Sequence, residues 1–202
     1  DRTDSVLIHG GGGGVGTAAL QLCQWVGVTN VWSTASAGKA DIIRSYDAVA
    51  IDRHNENFVE IVRSQTNGRG VDHILDPIGG EHLKRSLSVL AQGGKLYTYG
   101  MSSAAPSSKR SLWKALKALR SRPRFDPMLM MSRNQGVFGV HMGTWIDEDV
   151  MQEQMQNILK GIKEGALTPI IDSIYDAKDV AKAHQHIHDG KNIGKVLLKF
   201  VE

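Results

Sequence analysis

At 202 residues, 41% hydrophobic and 22% charged, the chain is long enough for one sizeable core and has an ordinary globular composition. Its single cysteine excludes a disulfide framework and any multi-cysteine zinc site, and no run approaches the roughly 18 apolar residues of a membrane span. The polar opening residues are not those of a secretory leader, and a cytoplasmic setting is the expectation. The net charge of +3 is uneven, because residues 109–124 hold seven basic side chains and no acid, leaving 17 basic against 21 acidic residues elsewhere. One basic segment is not the face-wide footprint of a nucleic-acid binder, so no nucleic-acid partner is expected.

In chain order, residues 6–9 form a short apolar strand that runs into glycines 10–14 and Gly16, and an amphipathic helix follows over 17–26. Strands are expected at 28–34, 48–51, 71–75, 95–99 and 136–140. Helices are expected at 39–44, 57–65, 81–90 (capped by Gly93 and Gly94) and 147–163. Strands alternating with crossover helices imply an α/β fold with a doubly wound parallel sheet, the Rossmann arrangement. The domain so defined covers 1–165, with an insert at 102–135. Residues 166–202 read as a small separate unit, with strands at 170–175 and 195–200 around a helix at 178–188.

The glycine turn fits G-x-G-x-x-G as Gly11, Gly13 and Gly16, in the strand–turn–helix setting that binds a dinucleotide. Free amides of Gly13, Gly14, Val15 and Gly16 are expected to meet a pyrophosphate at the positive end of the helix. Gly10, Gly14 and Gly16 also fit the short-chain dehydrogenase spacing, but neither Tyr46, Tyr97, Tyr99 nor Tyr175 has lysine four residues later. The second strand ends Ser33-Thr34-Ala35-Ser36-Ala37-Gly38-Lys39, without the acid that a methyltransferase or an NAD-selective site places there. Hydroxyls and a lysine suit a 2′-phosphate, which predicts NADPH held by Ser36 and Lys39. The plainer reading of Lys39 is a solvated lysine at a helix start.

Other groupings carry less. His184 and His188 lie one helical turn apart without completing a metal site, and His9 and His141 read as structural residues at strand ends. Cys23 reads as core. Leu112, Leu116 and Leu119 make a stripe in the basic segment, an amphipathic helix suited to packing over the cleft or to an anionic membrane surface.

The glycine turn, Asp76-Pro77-Ile78-Gly79-Gly80, Tyr97-Thr98-Tyr99-Gly100 and Asn192-Ile193-Gly194-Lys195-Val196-Leu197-Leu198 together resemble the zinc-free medium-chain dehydrogenase/reductases. Within them the chain most resembles the quinone oxidoreductase (zeta-crystallin) group and its vesicle amine transport protein-like members. The resemblance implies hydride transfer from NADPH to a quinone or enone. It also implies a homodimer through the sheet edge at 136–140, and a preceding barrel-like catalytic domain on which residues 166–202 would pack. That domain is not represented here, so a partial chain is expected. The resemblance places Gly13–Gly16 on the pyrophosphate, Ser36 and Lys39 on the adenosine phosphate, Tyr99 and Phe138 beside the nicotinamide, and Asn192 near the cofactor. Arg53 stands where the group often has a tyrosine at the phosphate. Asp76 is either a ribose contact or a cap of the turn before Gly79. No residue is assigned as general acid. The alternative function is a non-catalytic NADPH-binding or membrane-associating module using the basic helix, peripheral to membranes.

Overall fold

The computed structural model describes residues 4–102 and 124–200. Six strands, β1 (Ser5–His9), β2 (Asn30–Ala35), β3 (Val49–Asp52), β4 (Val71–Asp76), β5 (Leu90–Thr98) and β6 (Gly136–Gly139), form one sheet in the order β3-β2-β1-β4-β5-β6. Every pairing is parallel. The chain reverses direction across the sheet between β1 and β4, the crevice where doubly wound folds take their ligands.

Side-chain alternation along β1 divides the core into two layers. Leu7 packs with Ile74, Leu96, Phe58, Val62 and Leu83 on the side of α3 (Phe58–Gln65) and α4 (His82–Ser88). Val6 and Ile8 pack with Leu20, Val31, Ala35 and Ile43 on the side of α1 (Gly14–Trp25) and α2 (Ala40–Arg44). Leu7, Ile8, Ile74 and Leu96 are fully buried, each contributing about 1.5–3 kcal/mol of transfer free energy.

Local chemistry sets the helix starts. Asn57 accepts the Val59 amide to open α3, and Asp126 accepts those of Met128 and Leu129 to open α5 (Pro127–Arg133), where Pro127 occupies the first turn. Asp147 caps α6 (Glu148–Lys163), whose acidic first turn and basic last turn both complement the helix dipole.

The expected helix 81–90 ends earlier, at Ser88, because β5 starts at Leu90 and runs through Gly93 and Gly94. Gly93, at φ +78°, lies inside the strand rather than capping a helix. The expected basic helix at 109–120 falls on residues 103–123, outside the described residues.

The C-terminal segment pairs β7 (Ile171–Asp176) with β8 (Lys195–Lys199) in a two-stranded parallel sheet crossed by α7 (Val180–His188). It is not separate from the larger sheet's helices. Buried Gln21 of α1 accepts the Thr168 amide at 2.7 Å and donates to the Thr168 carbonyl at 3.0 Å. Among the described residues no helix is long and apolar enough to cross a membrane.

Candidate functional site: a glycine turn with a polar floor and a backbone strap

The turn joining β1 to α1 is shaped by close approaches that only glycine permits. Gly10, at φ +75°, and Gly11 both donate their amides to the Thr34 carbonyl, at 2.9 and 3.1 Å. A Cβ on Gly11 would fall 1.9 Å from Ser33 Oγ, and one on Gly16 only 2.4 Å from the Gly10 carbonyl oxygen. Gly16 therefore lets the first helical turn lie directly on the incoming backbone.

Gly13 differs from expectation. Its amide donates to the Gly10 carbonyl at 2.9 Å, so it closes the turn and caps the helix instead of facing a ligand. The amides of Gly14, Val15 and Gly16 lie in the first turn, ahead of any intrahelical acceptor. They are the donors that an anion would meet at this helix end.

The floor of the crevice is a buried polar network that sequence reading did not assemble. Asp76 is fully buried at the end of β4. Its Oδ1 accepts the amides of Ile78 at 2.7 Å and Gly79 at 3.0 Å, while Oδ2 accepts Ser86 Oγ at 2.9 Å and His82 Nδ1 at 3.0 Å. With four donors the carboxylate has no lone pair left for a ribose hydroxyl. Of its two anticipated roles it takes the cap, and it leaves the set of direct cofactor contacts.

Ser86, having given its proton to Asp76, accepts from His9 Nε2 at 3.2 Å; His9 Nδ1 in turn accepts from Thr34 Oγ1 at 3.0 Å. Burial, followed by the neighbouring His82, holds the His9 imidazole down to about 3, against the pull of Asp76. Burial pushes the Asp76 carboxyl up, but the His82 hydrogen bond and the charge of His9 outweigh it and hold the group at about 2.

His9, Asp76 and His82 are the one grouping among the described residues whose ligand atoms all lie within 4.8 Å of one another. Asp76 Oδ2 lies within hydrogen-bond distance of both His82 Nδ1 (3.0 Å) and Ser86 Oγ (2.9 Å).

Beside this floor a cleft of about 280 Å³ opens at the ends of β2 and β3, lined by Thr34, Arg53, Glu56, Phe58, Ile78, His82, Arg85 and Ser102. The Arg85 guanidinium lies 4.6 Å above the Phe58 ring, so the cleft has an aromatic wall with a cationic rim.

Ser36 begins the turn after β2, and its hydroxyl makes no capping bond there. Lys39 crosses to the C-terminal segment, where Nζ donates to the Asn192 carbonyl at 2.5 Å. Burial, then nearby Arg53, lowers its pKa, and Asp172 opposes the shift. Asn192 is thus beside Lys39, and its side-chain amide folds back to donate to the Gly194 carbonyl at 2.9 Å.

Tyr99 follows β5 and donates its amide to the Asp76 carbonyl at 3.2 Å; burial, with Asp76, pushes its phenol up to about 12. Phe138 pairs in register with Tyr97, stacks on that ring at 5.6 Å and is 46% exposed. Tyr97 also stacks on His73, at 6.2 Å, so three rings line one sheet face where sequence reading named only Phe138.

The family model for zinc-binding dehydrogenases matches residues 46–198. The rat synaptic vesicle membrane protein VAT-1 homolog is 34% identical over 197 residues, covering 96% of this chain and 48% of that protein. The solved structure of the human VAT-1 homolog-like protein superposes with a TM-score of 0.75 at 26% identity, covering 100% of this chain and 54% of that one. A mycobacterial quinone oxidoreductase superposes with a TM-score of 0.75 at 27% identity, covering 98% and 57%. The chain spans about half the length of the curated relatives it matches. It belongs to the zinc-binding dehydrogenase family, among the medium-chain oxidoreductases of quinone oxidoreductase type.

Proposed function

We propose that the chain is the NADPH-binding portion of a zinc-independent quinone or enone oxidoreductase. The observation that carries this reading is the strand–turn–helix at Gly10–Gly16. It aims three first-turn amides at the crevice, while Lys39 and Arg53 stand at the ends of β2 and β3 with no acid on the β2 turn before Asp41.

The pyrophosphate would take the amides of Gly14, Val15 and Gly16, and the 2′-phosphate would take Ser36, Lys39 and Arg53. The adenine would enter the cleft between Phe58, Ile78 and Arg85. When bound, the nicotinamide supplies a hydride. This chain's part is to bind and orient the dinucleotide and to place its far end toward Tyr99 and the ring face of Tyr97 and Phe138.

Charge-assisted hydrogen bonds are worth about 1.5–3 kcal/mol. Replacing Lys39 with alanine should therefore cut the preference for NADPH over NADH by about tenfold, read as the ratio of dissociation constants by fluorescence titration. An unchanged ratio would remove Lys39 from the phosphate site.

We further propose that β6, the outer strand of the sheet, is the edge along which two copies pair. Analytical sedimentation should give a dimer, and a monomer at high protein concentration would refute the pairing.

A further inference from the structure

The strap formed by residues 190–194 lies across the glycine turn and is held there almost entirely through its backbone. The Gly194 amide donates to the Gly12 carbonyl at 3.0 Å, and Gly13 and Gly194 form a parallel bridge. Gly194 sits at φ +85°, where a Cβ would stand 2.3 Å from the Ile170 carbonyl oxygen, so the approach depends on glycine. The Ile193 amide donates to Asp172 Oδ1 at 2.7 Å, and His186 Nε2 lies 2.8 Å from Asp172 Oδ2.

One strap contact is of a different kind. The Asn192 carbonyl is held at 2.5 Å by the Lys39 ammonium, which comes from the turn after β2, 153 residues away in sequence. Arg53 reaches the same strap, with Nη2 3.6 Å from where a Cβ on Gly190 would be. Two cations thus converge on the strap, where Lys39 has a neutral carbonyl as its hydrogen-bond acceptor and the Asp172 carboxylate near enough to favour its charged form. A phosphate monoester, with about −1.5 to −2 charge at pH 7, is a much stronger acceptor for both than an amide carbonyl.

We infer that the strap is a latch closed by Lys39 in the free chain, the Asn192 carbonyl standing in for a phosphate oxygen, and that a cofactor carrying a 2′-phosphate releases it. This rests on the nicotinamide-cofactor reading above and adds to it a coupling. The 2′-phosphate draws Lys39 away and loosens residues 190–194, whereas the same cofactor without that phosphate leaves the latch closed. Coupling between two sites is reciprocal. Loosening the strap beforehand must therefore favour the phosphorylated cofactor over the plain one.

Hydrogen–deuterium exchange over residues 188–195 tests this in the 202-residue chain, saturated in turn with NADPH and NADH. The latch predicts roughly ten- to hundredfold faster exchange of the strap amides with NADPH than with NADH, the loss of one charge-assisted bond. Lys39→Met should exchange fast in the free state and show no difference between the two cofactors. Asp172→Ala, which removes the strap's other side-chain anchor, should raise the NADPH-over-NADH affinity ratio, while Lys39→Met lowers it.

Equal strap exchange under both saturating cofactors, in a chain that still prefers NADPH, would overturn the latch and leave the cofactor reading standing. A fall in the ratio for Asp172→Ala would also overturn the latch. Equal dissociation constants for NADPH and NADH in the wild-type chain would instead overturn the reading beneath it.

Discussion

Gly16→Ala is expected to raise the NADPH dissociation constant by ~100-fold or more and to destabilise the fold by about 3 kcal/mol. The added methyl would stand 2.4 Å from the Gly10 carbonyl oxygen and 2.5 Å from Gly11 Cα, and both neighbours are backbone that no rotamer change can move. Overpacking of this kind costs about 1–3 kcal/mol where side chains can yield, and more where they cannot. Relief requires α1 to lift from the turn, which takes the amides of Gly14, Val15 and Gly16 off their common target. Gly38→Ala is the control, since a Cβ there meets nothing within 4 Å and stability should stay within ~0.5 kcal/mol of wild type. Fluorescence titration with NADPH, together with urea unfolding, reads both effects. A Gly16→Ala chain that bound NADPH within threefold of wild type would show that the turn is not the cradle.

Acid should unfold the protein through the floor of the same crevice. His9 has its pKa held at about 3 when folded, against 6.5 for a free histidine. Between those values the unfolded chain binds a proton that the folded chain refuses, so stability is full above pH 6.5 and falls as the pH drops. The slope from this one group is about 1.4 kcal/mol per pH unit. Asp76 acts in the adjoining window: held at about 2 against an ordinary 3.8, it adds stability above 3.8 that is lost as the pH falls through 2. The melting temperature should therefore decline from pH 6.5 downward, well before ordinary carboxylates titrate. His9→Gln should be less stable at pH 7, having lost its fit between Thr34 and Ser86, yet show a shallower decline between pH 6.5 and 4. Parallel profiles for the two proteins would show that His9 does not drive the acid transition.

The fold was legible because its strands are short apolar runs punctuated by glycine, and because a buried parallel sheet needs nothing subtler. Strand spacing located all six strands of the larger sheet. It misjudged the end of α4, since Gly93 inside β5 has the same local signature as a helix cap. The glycine turn was legible for a related reason: crowding by backbone leaves only one residue type at Gly16, and that constraint is visible without coordinates. Gly13 was misread because which amide closes a turn depends on dihedral angles rather than residue type.

The crevice floor and the strap were not legible. His9 and Ser86 are 77 residues apart, and Lys39 and Asn192 are 153 apart. No local pattern relates either pair; the order β3-β2-β1-β4 brings the first together, and the anchoring of Thr168 to Gln21 brings the C-terminal segment over the turn. Asp76 illustrates the difference. An acid at the end of a strand beside a cofactor turn has two plausible uses, and only a count of its donors separates them.

The most direct measurement is a crystal structure of the 202-residue chain grown with NADP⁺. It should place the pyrophosphate oxygens at about 2.7–3.2 Å from the amides of Gly14, Val15 and Gly16, with the 2′-phosphate against Lys39 and Arg53. A dinucleotide bound away from the glycine turn, or one whose 2′-phosphate points to solvent with Lys39 still on the Asn192 carbonyl, would contradict the account.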